Sequence, residues 1–188
     1  MVTTASRLMQ AGLTPSVSEV AEAAEVSRAT AYRYFPNQTA LVHAVVDEAL
    51  GPILKWKGKT QDAEQRILDL FEKALPRISE FEATFKAALR LSLEQAAQDG
   101  PTGEQPRFTR GHRRELLNDA LAPLRGQLPD EDLDRLAQAL SLIFGVEVYT
   151  VLKDIWDLSD IQSSKVAKWA ACALVRSAIA ETGAREVT

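Results

Sequence analysis

Apolar positions recur along the chain at the three- and four-residue spacing of a helix face, and no run alternates as a strand would. Helix breakers divide this pattern into about nine segments. A short first helix covers about 3–11 and stops at Gly12. After Pro15 come two very short helices, about 17–24 and 28–34. Pro36 and Asn37 end the second of these and start a fourth helix, 37–50. Gly51-Pro52 breaks that helix and divides the chain into an N-terminal module, 1–50, and a larger remainder, 51–188. Longer helices are predicted over about 60–75, 79–98, 108–124, 130–154 and 160–182, with 99–106 as an exposed Gly/Pro-bearing loop. The predicted fold class is all-α.

The last two predicted helices are apolar on more than one face. The eighth carries Leu133, Leu136, Leu140, Phe144, Val148, Val151 and Ile155, and the ninth Val166, Trp169, Ala173, Leu174 and Ile179. Such helices need a second partner surface. A four-helix bundle with a second copy supplies one; burial of both faces within a single chain is the alternative.

Residues 16–41 have a different character. Ser16 and Glu19 stand at capping-box spacing and open a two-turn helix. Val20 and Ala21 face inward, Glu25-Val26 makes a tight turn, and Ser27 caps the next helix. Ala31, Phe35 and Leu41 then form a buried face. That leaves Ser27, Arg28, Thr30, Tyr32, Arg33 and Tyr34 on the outward side. Tyrosines beside arginines and hydroxyls suit a helix laid in a DNA major groove. The competing reading is a helical hairpin that only packs.

This segment resembles the helix-turn-helix of the TetR family, most densely over Val26-Ser27-Arg28-Ala29-Thr30-Ala31-Tyr32-Arg33-Tyr34-Phe35-Pro36-Asn37. The resemblance implies a DNA-binding domain over 1–50 with a three-helix helix-turn-helix, and a helical effector-binding and dimerisation domain over 51–188. It implies that Ser27, Arg28, Thr30 and Tyr32 contact bases or adjoining phosphates, with Arg33 on the same face. Tyr34 would touch backbone phosphate, and Ser16 and Ser18 would clamp the opposite phosphate run. The chain departs from the family at two positions in this segment. Glu25 occupies the usual place of a glycine, at a cost of ~1 kcal/mol if the turn needs positive φ. Gln38 replaces a common phosphate-contacting lysine.

The implied function is a regulator of transcription, a repressor released from a near-palindromic operator by a small-molecule effector. It would act as a homodimer through the helices at 130–154 and 160–182. The alternative is a degenerate helical protein-interaction module that has lost DNA binding. The implied location is a bacterial cytoplasm, on the nucleoid when DNA is bound.

Composition modifies this picture. The net charge is −4, and residues 1–50 hold Arg7, Arg28 and Arg33 against Glu19, Glu22, Glu25, Asp47 and Glu48. DNA binding must therefore depend on where charges point rather than on their sum. A single cysteine, Cys172, excludes an internal disulfide and fits a reducing compartment. No apolar run reaches the ~18–20 residues of a membrane span. The two histidines, His43 and His112, lack metal-ligand spacing, and no phosphate loop or serine elbow is present, so neither enzyme activity, a metal nor a cofactor is expected. Arg107, Arg110, His112, Arg113 and Arg114 form the densest cationic cluster, read either as a solvated face or as an orienting site for an anionic effector. Phe71, Phe85, Phe108, Phe144 and Tyr149 are either core or the lining of an effector cavity.

Overall fold

The computed structural model describes residues 1–98 and 112–186, and within them ten α-helices and no strand. Local chemistry accounts for the first elements. Helix α1 (Val2–Gln10) ends because Gly12 takes φ 82, which lets the Gly12 and Leu13 amides bond back to Met9 and Leu8 at 2.9 and 3.1 Å. Helix α2 (Val17–Ala23) opens with a full capping box: Ser16 Oγ accepts from the Glu19 amide, and the Ser16 amide donates to Glu19 at 2.7 Å. Ser27 caps α3 (Arg28–Tyr34), and Asn37 caps α4 (Gln38–Leu50) by accepting from the Ala40 amide at 2.8 Å.

Further on, a 3-10 turn (Gly51–Lys55) leads to α5 (Ala63–Glu80), α6 (Glu82–Gln98) and α7 (His112–Ala120). A second 3-10 turn (Ala122–Leu124) precedes α8 (Asp130–Ser141), α9 (Val146–Trp156) and α10 (Asp160–Glu186). The largest departures from the predicted bounds fall at α5 and at the eighth predicted helix. Helix α5 does not stop before Pro76 but runs through it, starting later, where Asp62 accepts from the Gln65 amide at 3.1 Å. The single helix expected over 130–154 is two. The chain turns between Ser141 and Val146, where Gly145 has φ 156 and ψ −172, a region open essentially to glycine alone. A Cβ there would also sit 2.1 Å from Arg113 Nη2.

The chain forms two compact units. The first contains Met1–Gly51 and α6, which packs on α1 and α4. Its core joins Ala5, Met9, Val20, Ala31, Leu41 and Val45 to Ala87, Ala88 and Leu91 of α6. Gln95 Nε2 also donates to Thr39 Oγ1 at 2.8 Å.

The second unit holds Pro52–Ser79 and helices α7–α10. Helix α5 buries Ile67, Leu70, Phe71, Ala74, Leu75 and Ile78. Ion pairs from Glu64 to Arg176 and from Glu72 to Lys168 fasten it to α10. Helices α9 and α10 keep large apolar groups in solvent, among them Ile155 (72% exposed), Trp156 (68%), Ile161 (71%) and Trp169 (73%). One chain therefore leaves an apolar surface uncovered on its last two helices, and this surface begins at Val151 of α9 rather than along α8, apart from Leu142 at the α8 end. Among the described residues no single helix is long and apolar enough to cross a membrane.

Candidate nucleic-acid interface

Helix α2 ends by the same device as α1, with one difference. The Val26 amide bonds to Ala21 O at 2.9 Å and the Glu25 amide to Glu22 O at 3.1 Å, and Glu25 is left at φ 55. The left-handed position of this turn is thus held by an exposed glutamate. The turn reverses the chain so that α3 packs on α2. Val20, Ala21 and Ala31 are fully buried, and Phe35 and Val26 are half-buried beside them.

With Ala31 inside, the remaining side chains of α3 face outward. Ser27, Arg28 and Arg33 are exposed, and Tyr32 and Tyr34 show 46% and 64% of their surface. Burial alone does not explain two such tyrosines. The Ser27 hydroxyl accepts from the Thr30 amide and donates to Thr30 Oγ1 at 2.9 Å, so its role is that of a cap. Ser18 Oγ and Tyr32 Oη share one hydrogen bond at 3.2 Å, which brings the start of α2 and the middle of α3 together. The Arg33 guanidinium lies over the Tyr34 ring, 5.2 Å from its centre. Ser16 is occupied by the capping box. Gln38 Nε2 donates to the carbonyls of Thr14 and Pro15 at 3.0 and 3.1 Å, securing the loop that enters α2. The resemblance would put Gln38 at a phosphate contact; the structure shows its amide spent on this internal tie.

The electrostatics of this unit are mixed. Glu19 is held below the usual carboxylate range, chiefly by the Ser16 backbone amide and then by its hydroxyl, and so stays charged. On α6, Lys86 pairs with Glu82 and Arg90 with Glu94, both at 2.9 Å. The outward cations of α3 are therefore Arg28 and Arg33.

The residues considered for an effector site fall in several places. Phe71 and Phe144 stack in the core of the second unit, with ring centres 5.0 Å apart. Tyr149 is fully buried; its hydroxyl donates to Leu75 O at 2.9 Å and lies 2.8 Å from Ser164 Oγ. Arg113 donates to Ser141 O at 2.9 Å and pairs with Glu147 at 2.7 Å, spanning the α8–α9 break next to Phe144. His112 is half-exposed, 4.0 Å from Glu115. Phe85 is half-buried on α6, in the first unit. Phe108 and Arg110 lie outside the described residues. Within the second unit the structure thus brings Phe71 and Phe144 together, with Tyr149 bonded to Leu75 of α5 and Arg113 tied to the α8–α9 junction.

Sequence reasoning did not single out an open cleft of about 250 Å³ in the second unit, lined by Gly58, Lys59, Thr60, Gln65, Arg66 and Asp69. Here Arg66 reaches over Gly58, donating to Gly58 O at 2.6 Å and to Asp119 O at 3.0 Å. Gly58 alone admits this approach, because a Cβ would lie 2.1 Å from Arg66 Nε. Among the described residues no group of three or more His, Cys, Asp or Glu is placed to hold a metal ion. The half-buried Cys172 thiol is pushed up, first by burial and then by the Glu64 charge.

Residues 3–45 match the family model of bacterial regulatory proteins of the tetR family, which covers α1 through most of α4. Neither a curated protein nor a solved structure matches the chain.

Proposed function

We propose, from the tetR-family match over residues 3–45, that the chain is a DNA-binding transcriptional regulator of the TetR family, a repressor acting as a homodimer on a near-palindromic operator. The observation that carries this reading is the outward face of α3, where Arg28, Tyr32, Arg33 and Tyr34 stay in solvent while Ala31 and Phe35 anchor the helix. A helix of this kind enters a major groove with its N-terminal residues at the base edges. Ser18, held by Tyr32, and the α2 N-terminus serve the phosphates alongside.

Dimerisation is supported by the uncovered apolar face of α9 and α10. Burying Ile155, Trp156, Ile161 and Trp169 against a second copy gives each side chain roughly 1.5–3 kcal/mol. Two-fold pairing then offers two reading helices to adjacent major grooves about 34–36 Å apart. Release by a small-molecule effector bound in the second unit completes the reading, with Gly51-Pro52, where the chain first leaves the N-terminal unit, as the place of motion. A 100-fold loss of operator affinity requires only about 2.7 kcal/mol of coupling. In this reading the regulator works in the bacterial cytoplasm.

Selection of bound sequences from random duplex DNA at low salt tests the proposal. A two-fold-symmetric motif is the expected result. Recovery of no enriched sequence at any salt concentration would favour the protein-interaction module instead.

A further inference from the structure

We propose that Arg28 sets the operator sequence by reading a guanine in each half-site, an assignment that rests on the DNA-binding reading above. It follows from counting which polar groups on this face are still unengaged. Ser27 spends its one hydroxyl proton on Thr30 Oγ1 and accepts from the Thr30 amide. Ser18 and Tyr32 engage each other, and Gln38 donates to the Thr14 and Pro15 carbonyls. Arg33 rests on the Tyr34 ring. The Arg28 side chain differs: it is exposed at the first position of α3 and makes no hydrogen bond, ion pair or ring contact with any described residue, while the Tyr34 hydroxyl, also without a described hydrogen bond, stands at the last position of the helix.

The first turn of a groove-entering helix is its closest approach to the bases. The neighbours of Arg28 are Ser27, Ala29 and Thr30, all short, so Arg28 is the side chain there with the reach to meet a base edge. A guanidinium carries five donors in a fixed fork and no acceptor. In the major groove its match is the pair of acceptors on one base, guanine O6 and N7. Adenine offers an acceptor beside a donor, and a fork of donors meets it with one contact fewer. Charge points the same way. Residues 1–51 hold three cations against five acids, and the two cations of α6 are paired on their own helix. Sequence-independent attraction to phosphate is correspondingly weak, which leaves a base contact a larger share of operator affinity.

The test uses the full chain and the duplex recovered by selection, in both its original form and one with the conserved G·C pair of each half-site replaced by A·T. The unaltered protein is expected to bind the replaced duplex more weakly, by about 5- to 150-fold per half-site. Arg28→Ala is expected to bind both duplexes alike, with its loss confined to the original one. Arg28→Gln should shift the preference at that pair toward adenine, since a carboxamide matches its N6 and N7. The assignment is overturned if Arg28→Ala weakens both duplexes equally and lowers the slope of log K against log salt by about 0.9 per contact, the behaviour of a phosphate ligand. It is also overturned if the selected motif has no symmetric guanine, or if Arg28→Ala keeps the preference for it. Failure of the unaltered chain to bind any duplex overturns the DNA-binding reading as well.

Discussion

Replacing Glu25 with glycine should stabilise the protein, although it removes a side chain. Glu25 stands at φ 55 in the turn that closes α2, with its carboxylate in solvent. A left-handed conformation costs an L residue about 1–2 kcal/mol through the clash of Cβ with the following carbonyl oxygen, and glycine avoids it. Against this, the glycine chain has more freedom when unfolded, worth about 0.4–1 kcal/mol. The difference leaves a net stabilisation of about 0.5–1 kcal/mol for Glu25→Gly. In a chain of 188 residues this corresponds to about 1–4 °C in melting temperature. Trp56, Trp156 and Trp169 all belong to the second unit, so urea unfolding is best followed by helical circular dichroism rather than by tryptophan emission. Glu25→Ala keeps the Cβ and its clash and should gain nothing. A glycine variant no more stable than the alanine variant would show that the left-handed backbone at Glu25 carries no such strain. Glu25→Gln separates charge from strain: like Glu25→Gly it removes a negative charge from the turn that precedes α3 and should tighten operator binding, but without the gain in stability.

Other expectations concern the second unit. The double change Ile155→Glu, Trp169→Glu should convert a dimer into a folded monomer by sedimentation and abolish operator binding; a dimer that survives both charges excludes the α9–α10 face as the interface. Tyr149→Phe removes the hydroxyl that donates to the buried Leu75 carbonyl, at an expected cost of about 1–3 kcal/mol in urea unfolding. An unchanged midpoint would show that this bond adds nothing. Asp160 is held below the ordinary carboxylate range first by Lys153 and then by Ser79, and Asp69 first by Lys73 and then by Trp56. A lowered pKa contributes stability above the ordinary carboxylate range and loses it as pH falls through that range and below. Unfolding midpoints measured from neutral to acid pH should therefore decline on the acid side, and Asp160→Asn should flatten that decline.

The N-terminal elements were legible in the sequence because short-range chemistry builds them. Ser16 with Glu19, Ser27 and Asn37 are caps that act within three residues, and the helices begin where these caps stand. Gly12 and Glu25 end α1 and α2 by the same local rule. The second unit was less legible because its breaks depend on tertiary partners. Apolar spacing continues through Leu140, Phe144 and Val148, and only Gly145 hints that the helix is cut where Arg113 and Glu147 meet. Pro76 looked like a stop, yet the packing of Leu75 and Ile78 and the Tyr149 hydroxyl carry α5 past it. At the interface, the identity of Gln38 was plain, but its two bonds to Thr14 and Pro15 join residues more than twenty positions apart and left no periodic trace. Tyr149 posed the same difficulty, since an aromatic with a hydroxyl reads alike as cavity lining or as core.

The most direct test of the central claim is a hydroxyl-radical footprint of the full chain on its selected duplex. Two protected stretches on one face of the DNA, about 10 base pairs apart and related by two-fold symmetry, are expected, and both should vanish when Arg28 and Tyr34 are replaced by alanine. A footprint without symmetry, or one that outlasts those two substitutions, would contradict the claim that the outward face of α3 reads DNA in pairs.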